Sequence, residues 1–242
     1  MTNYKIILCY DGTDYLGWQR QPKGRTIQGL VEEALARLAG APVNIVGAGR
    51  TDAGVHALGQ TASFKAALKL GDAELFKALN ALLPPDIRIL SLERVPAGFH
   101  ARRDARSKTY QYRIVTAKTI SPFLLRYALH WPYPLNVAKM KAAAALFVRE
   151  ADFSGFSSNR ELYPVRRVVR SELRKRGEEL LFTIEANGFL RHMIRTIVGT
   201  MLEAGRGRVE AGDIENVFRT KARTLANPTA PAKGLCLMQV FY

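Results

Sequence analysis

Gly47-Ala48-Gly49-Arg50-Thr51-Asp52-Ala53-Gly54-Val55-His56-Ala57 sets one carboxylate, Asp52, two residues after an arginine and among glycines, between the apolar runs 43–46 and 61–64. Glycine admits positive φ and the close approach of another backbone or a ligand. The stretch therefore predicts a tight loop that presents one acidic side chain from a strand end. By spacing alone the plainer reading is favoured, a turn whose Asp52 caps local N–H groups and pairs weakly with Arg50.

Working outward, residues 6–10 are a strand-length apolar run closed by Asp11-Gly12. The loop 11–25 mixes Arg20, Lys23 and Arg25 with Tyr15 and Trp18, which suits RNA contact and equally suits a loop anchored by Trp18. Thr26 caps a helix with apolar positions Ile27, Leu30, Val31, Ala34, Leu35 and Leu38, and Gly40 stops it. Strands over 43–46 and 61–64 flank the Asp52 loop. Asp72 is expected to cap a second helix, ended by Pro84-Pro85, before a strand over 87–92. This β-α-β-β-α-β order is the ferredoxin-like pattern, a common frame for RNA-binding sheets.

Residues 99–108 form the junction between two halves, 1–103 and 104–242. They hold Arg102, Arg103, Arg106 and Lys108, four cations in seven positions, just before the strand 109–115. Asn136 then caps a helix, strands follow over 167–172 and 180–186, and a helix is expected from about 189 to 203. Arg191 and Arg195 would share one face of it at i, i+4. A short helix over 214–218 and a strand over 235–241 complete a second α/β unit.

Net charge is +15 and the pI about 10.1. Residues 1–100 carry 11 Lys+Arg against 9 Asp+Glu, and residues 101–242 carry 25 against 12. The excess predicts a polyanionic partner met mainly by the C-terminal half, and no basic amphipathic helix suggests a membrane surface instead. Cys9 and Cys236, far apart and without CxxC spacing, read as buried reduced thiols in strands. Neither a signal peptide nor a membrane span is expected, which places the protein in the cytoplasm. Phosphate-loop, zincin and dinucleotide motifs are missing, and His56, His100, His130 and His192 lack metal-ligand spacing.

The octapeptide Arg50-Thr51-Asp52-Ala53-Gly54-Val55-His56-Ala57 resembles the catalytic loop of the TruA-type tRNA pseudouridine synthases. So do, in family order, Ile7-Leu8-Cys9-Tyr10-Asp11-Gly12-Thr13, Gly17-Trp18-Gln19, Tyr110-Gln111-Tyr112, Asn187-Gly188-Phe189-Leu190-Arg191-His192-Met193-Ile194-Arg195 and Thr229-Ala230-Pro231-Ala232-Lys233-Gly234-Leu235. The resemblance implies an α+β pseudouridine synthase fold, two ferredoxin-like halves with largely antiparallel mixed sheets and a cleft between them. It implies a cofactor-free homodimer that isomerises uridines at positions 38, 39 and 40 in the anticodon stem-loop of tRNA, without a metal.

On the same resemblance Asp52 is the catalytic nucleophile or base. Arg50 is its charge partner, or fills the gap of the flipped base. Arg195 matches the helix arginine that pairs with the catalytic acid. Tyr110 stacks on the uracil and Leu235 closes an apolar wall. Read from residues alone, Arg195 is equally a surface helix cation and Tyr110 a core tyrosine. His56 is expected to bond to backbone rather than act as a second acid or base. Arg25, Arg102, Arg103, Arg106 and Lys108 are the candidates for the tRNA backbone. The alternative is a non-catalytic tRNA-binding protein or RNA chaperone on the same fold. A nucleoside hydrolase would want paired carboxylates, and the loop offers only Asp52.

Overall fold

The computed structural model describes residues 1–159, 162–222 and 228–242. They divide into two compact units, Met1–Arg106 with Cys236–Tyr242, and Ser107–Leu235. The final strand thus counts almost wholly with the first unit, unlike a single cut near residue 103. Among the described residues no helix is long and apolar enough to cross a membrane.

The first unit follows the expected order: β1 (Thr2–Tyr10), α1 (Ile27–Ala39), β2 (Ile45–Gly47), β3 (His56–Ala66), α2 (Asp72–Leu82) and β4 (Ile87–Arg94). β1 lies between β3 and β4, antiparallel to both, with Ile6 opposite Ala62 and Leu92. β10 (Leu235–Phe241) joins β3 in parallel, Cys236 opposite His56, while β2 pairs with the far end of β3. Apolar faces bury Tyr4, Ile6, Leu8 and Phe64 from the sheet with Ile27, Val31 and Leu35 of α1 and Leu75 and Leu79 of α2. Thr26 caps α1 by accepting the Gly29 N–H, and Gly40 closes it at φ 66°. Asp72 does not cap α2. Gly71 is the cap residue; its N–H donates to Glu74 at 3.0 Å, and Asp72 is the first helical residue, where a negative charge complements the helix dipole.

The second unit holds β5 (Ser107–Val115), β6 (Leu129–His130), α3 (Val137–Ala145), β7 (Glu150–Asp152), β8 (Val165–Arg176), β9 (Glu179–Ala186), α4 (Met193–Gly205) and α5 (Ala211–Thr220). Its strands run β5-β9-β8-β7 in antiparallel pairs, with β6 added in parallel to β5. Asn136 caps α3 as expected, accepting the Lys139 N–H at 3.0 Å. Phe147, Phe153, Phe156 and Phe218 form an aromatic cluster with centroid spacings from 4.9 to 6.1 Å.

Helix α4 begins later than its apolar pattern suggested. His192 sits at φ 60°, a left-handed conformation that breaks the helix before Met193. Arg191 therefore precedes the helix and shares no helical face with Arg195. The two cysteines lie in β1 and β10, not joined in a disulfide, and are half-buried rather than buried.

Candidate active site

The loop that carries Asp52 leaves β2 at Gly47 and enters β3 at His56. Its backbone is held from several sides. The Ala48 N–H donates to Thr61 O at 2.7 Å, the Trp18 N–H to Thr51 O at 3.0 Å, and the Val55 N–H to Asp52 O at 3.1 Å. Side chains add to this. Gln60 of β3 donates from Nε2 to Gly49 O at 2.8 Å, and the Tyr10 hydroxyl at the end of β1 shares a 2.8 Å hydrogen bond with Thr51 Oγ1. Tyr10, Thr51 and Gln60 are all buried, whereas Asp52 is half-buried and Arg50 exposed. Burial pushes the Tyr10 phenol well above its ordinary pKa, with the Thr51 and Gln60 hydrogen bonds in part opposing.

Glycines let the neighbouring loop come this close. A Cβ on Gly17, at φ 89°, would stand 2.5 Å from Thr51 O, and one on Gly12 would stand 2.0 Å from Val55 O. Trp18 is 2% exposed, and its ring fills the space a Cβ on Gly47 would need. Of the two readings of loop 11–25, packing on the body is the one realised for Trp18. Arg25 is exposed and lies over the Tyr15 ring at 5.2 Å. His56 is buried; its Nδ1 accepts the Gly12 N–H at 3.1 Å and lies 3.2 Å from Asp11 Oδ1, so it is bonded to backbone as expected.

In the second unit Tyr110, on β5, is 6% exposed and meets the Phe189 ring edge-on at 5.2 Å. Tyr112 points to the same face two residues on, fully buried, and donates to Pro231 O at 2.7 Å. Burial raises its pKa, and the charge of Arg195 opposes that shift. Arg195 stands in the first turn of α4, half-buried, and donates from Nε to Ala230 O at 2.8 Å, while the Ala230 N–H donates to Arg195 O at 3.0 Å. The segment leading to β10 is thus strapped onto α4. Gly199 admits it, since a Cβ there would lie 1.8 Å from Pro228 O. Leu235 is buried at the start of β10, and Gly234 before it makes room for the Tyr112 ring.

Arg102, Arg103 and Arg106 are exposed in the first unit, and Lys108 is half-buried on β5. The turn around them is ordered: His100 Nδ1 accepts the N–H groups of Arg102 and Arg103 at 3.2 Å, and Asp104 Oδ2 accepts the His100 N–H at 2.8 Å. β8 adds exposed Arg167, Arg170, Arg174, Lys175 and Arg176, of which Arg170 and Arg174 pair with Glu172. Among the described residues no three His, Cys, Asp or Glu side chains are grouped to hold a metal ion. The sequence reading missed Tyr10, Gln60 and Tyr112. The last had a signal, because alternation along a strand puts Tyr110 and Tyr112 on one face.

A family model described as tRNA pseudouridine synthase matches residues 6–104 and 143–242. Curated relatives cover the chain from end to end. A tRNA pseudouridine synthase A from Thermodesulfovibrio yellowstonii is 41% identical, with 100% of both chains aligned. Those of Lacticaseibacillus casei and Solibacter usitatus are 42% and 44% identical at the same coverage. Among solved structures, the crystal structure of a Cbf5-Nop10-Gar1 complex matches with a TM-score of 0.32 and 11% identity, over 82% of this chain and 54% of that one.

Proposed function

Because this chain belongs to the tRNA pseudouridine synthase family, we propose that it isomerises uridine to pseudouridine in the anticodon stem-loop of tRNA, at positions 38, 39 and 40, with Asp52 as the catalytic nucleophile or base. The reaction breaks the N1–C1′ bond, turns the uracil and joins C1′ to C5. The C5 proton is lost and N1 gains one, so the change is redox-neutral. What carries the reading is the Asp52 loop: one half-buried carboxylate on a loop held by Tyr10 of β1 at the Thr51 side chain and by Gln60 of β3 at the Gly49 carbonyl. Such a carboxylate arrives already oriented, and the orientation need not be found at each turnover.

The remaining roles follow the same reading. Tyr110 stacks on the uracil. Arg195, fixed by the Ala230 carbonyl, supplies charge control for the reacting carboxylate. Leu235 is the apolar wall. Arg50 is exposed, which suits the wedge that fills the place of the flipped base. Arg25, Arg102, Arg103, Arg106 and Lys108 meet the tRNA backbone, and the enzyme works in the cytoplasm as a homodimer. The test is tritium release from tRNA transcripts labelled at uridine C5, with the modified positions mapped. Wild-type protein should release tritium and Asp52→Asn should not, while tRNA binding persists. Release that survives in Asp52→Asn would remove Asp52 from the chemistry.

A further inference from the structure

The Tyr10 hydroxyl has no part in the roles assigned above, yet it is one of the few buried polar groups that reach the Asp52 loop. Its ring belongs to the core, 4% exposed and 6.3 Å from the Trp18 ring, and a phenylalanine would pack there equally well. The oxygen does something else. It lies 2.8 Å from Thr51 Oγ1, in the residue directly before Asp52. Gln60 Nε2, which holds Gly49 O at 2.8 Å, stands 3.5 Å from the same oxygen. Thr51 is itself 6% exposed, and its carbonyl is engaged by the Trp18 N–H.

We propose that Tyr10 is a positioning residue for the isomerisation: its hydroxyl fixes the Thr51 side chain and so the direction in which the Asp52 carboxylate leaves the loop. The inference rests on Asp52 being the reacting group. Backbone bonds set where the Thr51 carbonyl points, but they leave the rotation of its side chain to local packing. The Tyr10 bond removes that freedom from a strand, and strands hold geometry better than loops. With both partners buried, deleting the Tyr10 hydroxyl takes from Thr51 Oγ1 its 2.8 Å partner, and deleting the Thr51 hydroxyl leaves the Tyr10 oxygen with only the longer bond from Gln60 Nε2 at 3.5 Å.

The test uses the full chain with Tyr10→Phe, Thr51→Val, the double variant and Thr51→Ser. Steady-state tritium release, tRNA binding and thermal unfolding are measured on each. The expected result is a kcat lowered about tenfold to a hundredfold in each of the first two, the range for small misplacement of a reacting group. KM and tRNA affinity should stay within about twofold. The double variant should lose little more than the worse single one, because the two residues act as a unit. Thr51→Ser, which keeps a hydroxyl, should recover most of what Thr51→Val loses.

A kcat within about twofold of wild type in Tyr10→Phe, or losses that multiply in the double variant, would overturn the assignment. Should Tyr10→Phe not fold, the contrast between Thr51→Val and Thr51→Ser decides alone, and equal kcat in those two overturns it. Absence of release by wild-type protein fells the underlying reading instead. Release that is lost in Asp52→Asn but intact in Tyr10→Phe fells only the positioning role.

Discussion

Replacing Gly17 with alanine should cost far more turnover than its cost in stability would suggest. Gly17 has φ 89°, and a Cβ there would lie 2.5 Å from Thr51 O and 3.0 Å from Ala53 N, on both sides of Asp52. Ordinary contact begins near 3.4 Å, so the Asp52 loop must retreat by about 0.9 Å. A left-handed conformation costs a non-glycine residue about 1–2 kcal/mol. Forced overpacking adds about 1–3 kcal/mol. Together they give about 2–5 kcal/mol, or a melting point lowered by about 4–20 °C in a chain of this size.

A displacement of about 1 Å at a reacting group costs about a hundredfold in rate. The same molecule supplies the control. Gly40 has φ 66° with nothing within 4 Å of its would-be Cβ, so Gly40→Ala takes the conformational cost without the collision. Single-turnover tritium release and thermal unfolding would be run on both variants. Gly40→Ala should melt lower by about 2–8 °C and keep its rate within about twofold. Gly17→Ala should lose rate about a hundredfold at temperatures where it is fully folded. Equal rates in the two folded variants would refute the claim that this glycine spaces the Asp52 loop.

Replacing Arg103 and Arg106 with alanine should weaken tRNA binding and reduce the slope of log affinity against log salt by about 1.5, at roughly 0.7–0.9 per phosphate contact; an unchanged slope removes these two from the backbone interface. Stability should fall on the alkaline side. Tyr242 donates to Ala101 O at 2.8 Å, and burial pushes its pKa from 10.0 up to about 12, with a hydrogen bond from Thr61 opposing. The unfolded chain ionises first, so this contribution is whole below about pH 10 and lost as pH rises to about 12. Urea midpoints across that window should drop less in Tyr242→Phe than in wild type, and parallel curves would show that Tyr242 is not responsible.

What could be read in the sequence was what depends on neighbours in the chain. Thr26 and Asn136 were legible as caps because each accepts a backbone N–H three residues on, and Gly40 because glycine readily takes the left-handed conformation that ends a helix. The same logic placed the cap of α2 one residue late, since Asp72 and Gly71 differ only in which of them keeps an extended backbone. The start of α4 was misplaced because Leu190 continues its apolar stripe while the left-handed His192 leaves no mark in a hydrophobic pattern. β6 and β7 span two and three residues, too few to show a period.

The site divides along the same line. Its acid and arginine stand in one loop and were visible there, but the grips on that loop come from Tyr10, 41 positions before Thr51, and Gln60, 11 after Gly49. Trp18 was undecidable in sequence between substrate and core. The answer lay in Gly47, whose missing side chain is the seat of the indole.

The order in which the ribosome delivers this chain bears on when it can work. The first unit is complete in translation by Arg106 except for one strand, and that strand begins at residue 235. It docks beside His56, the residue at which the Asp52 loop enters β3. At about 5–20 residues per second, roughly 130 further residues take about 7–26 s to emerge. For that time the nascent chain exposes an unpaired edge next to its Asp52 loop, a place for chaperone protection or misassembly. A protein truncated before residue 235 would keep every residue of the Asp52 loop and lack the strand that shores it up.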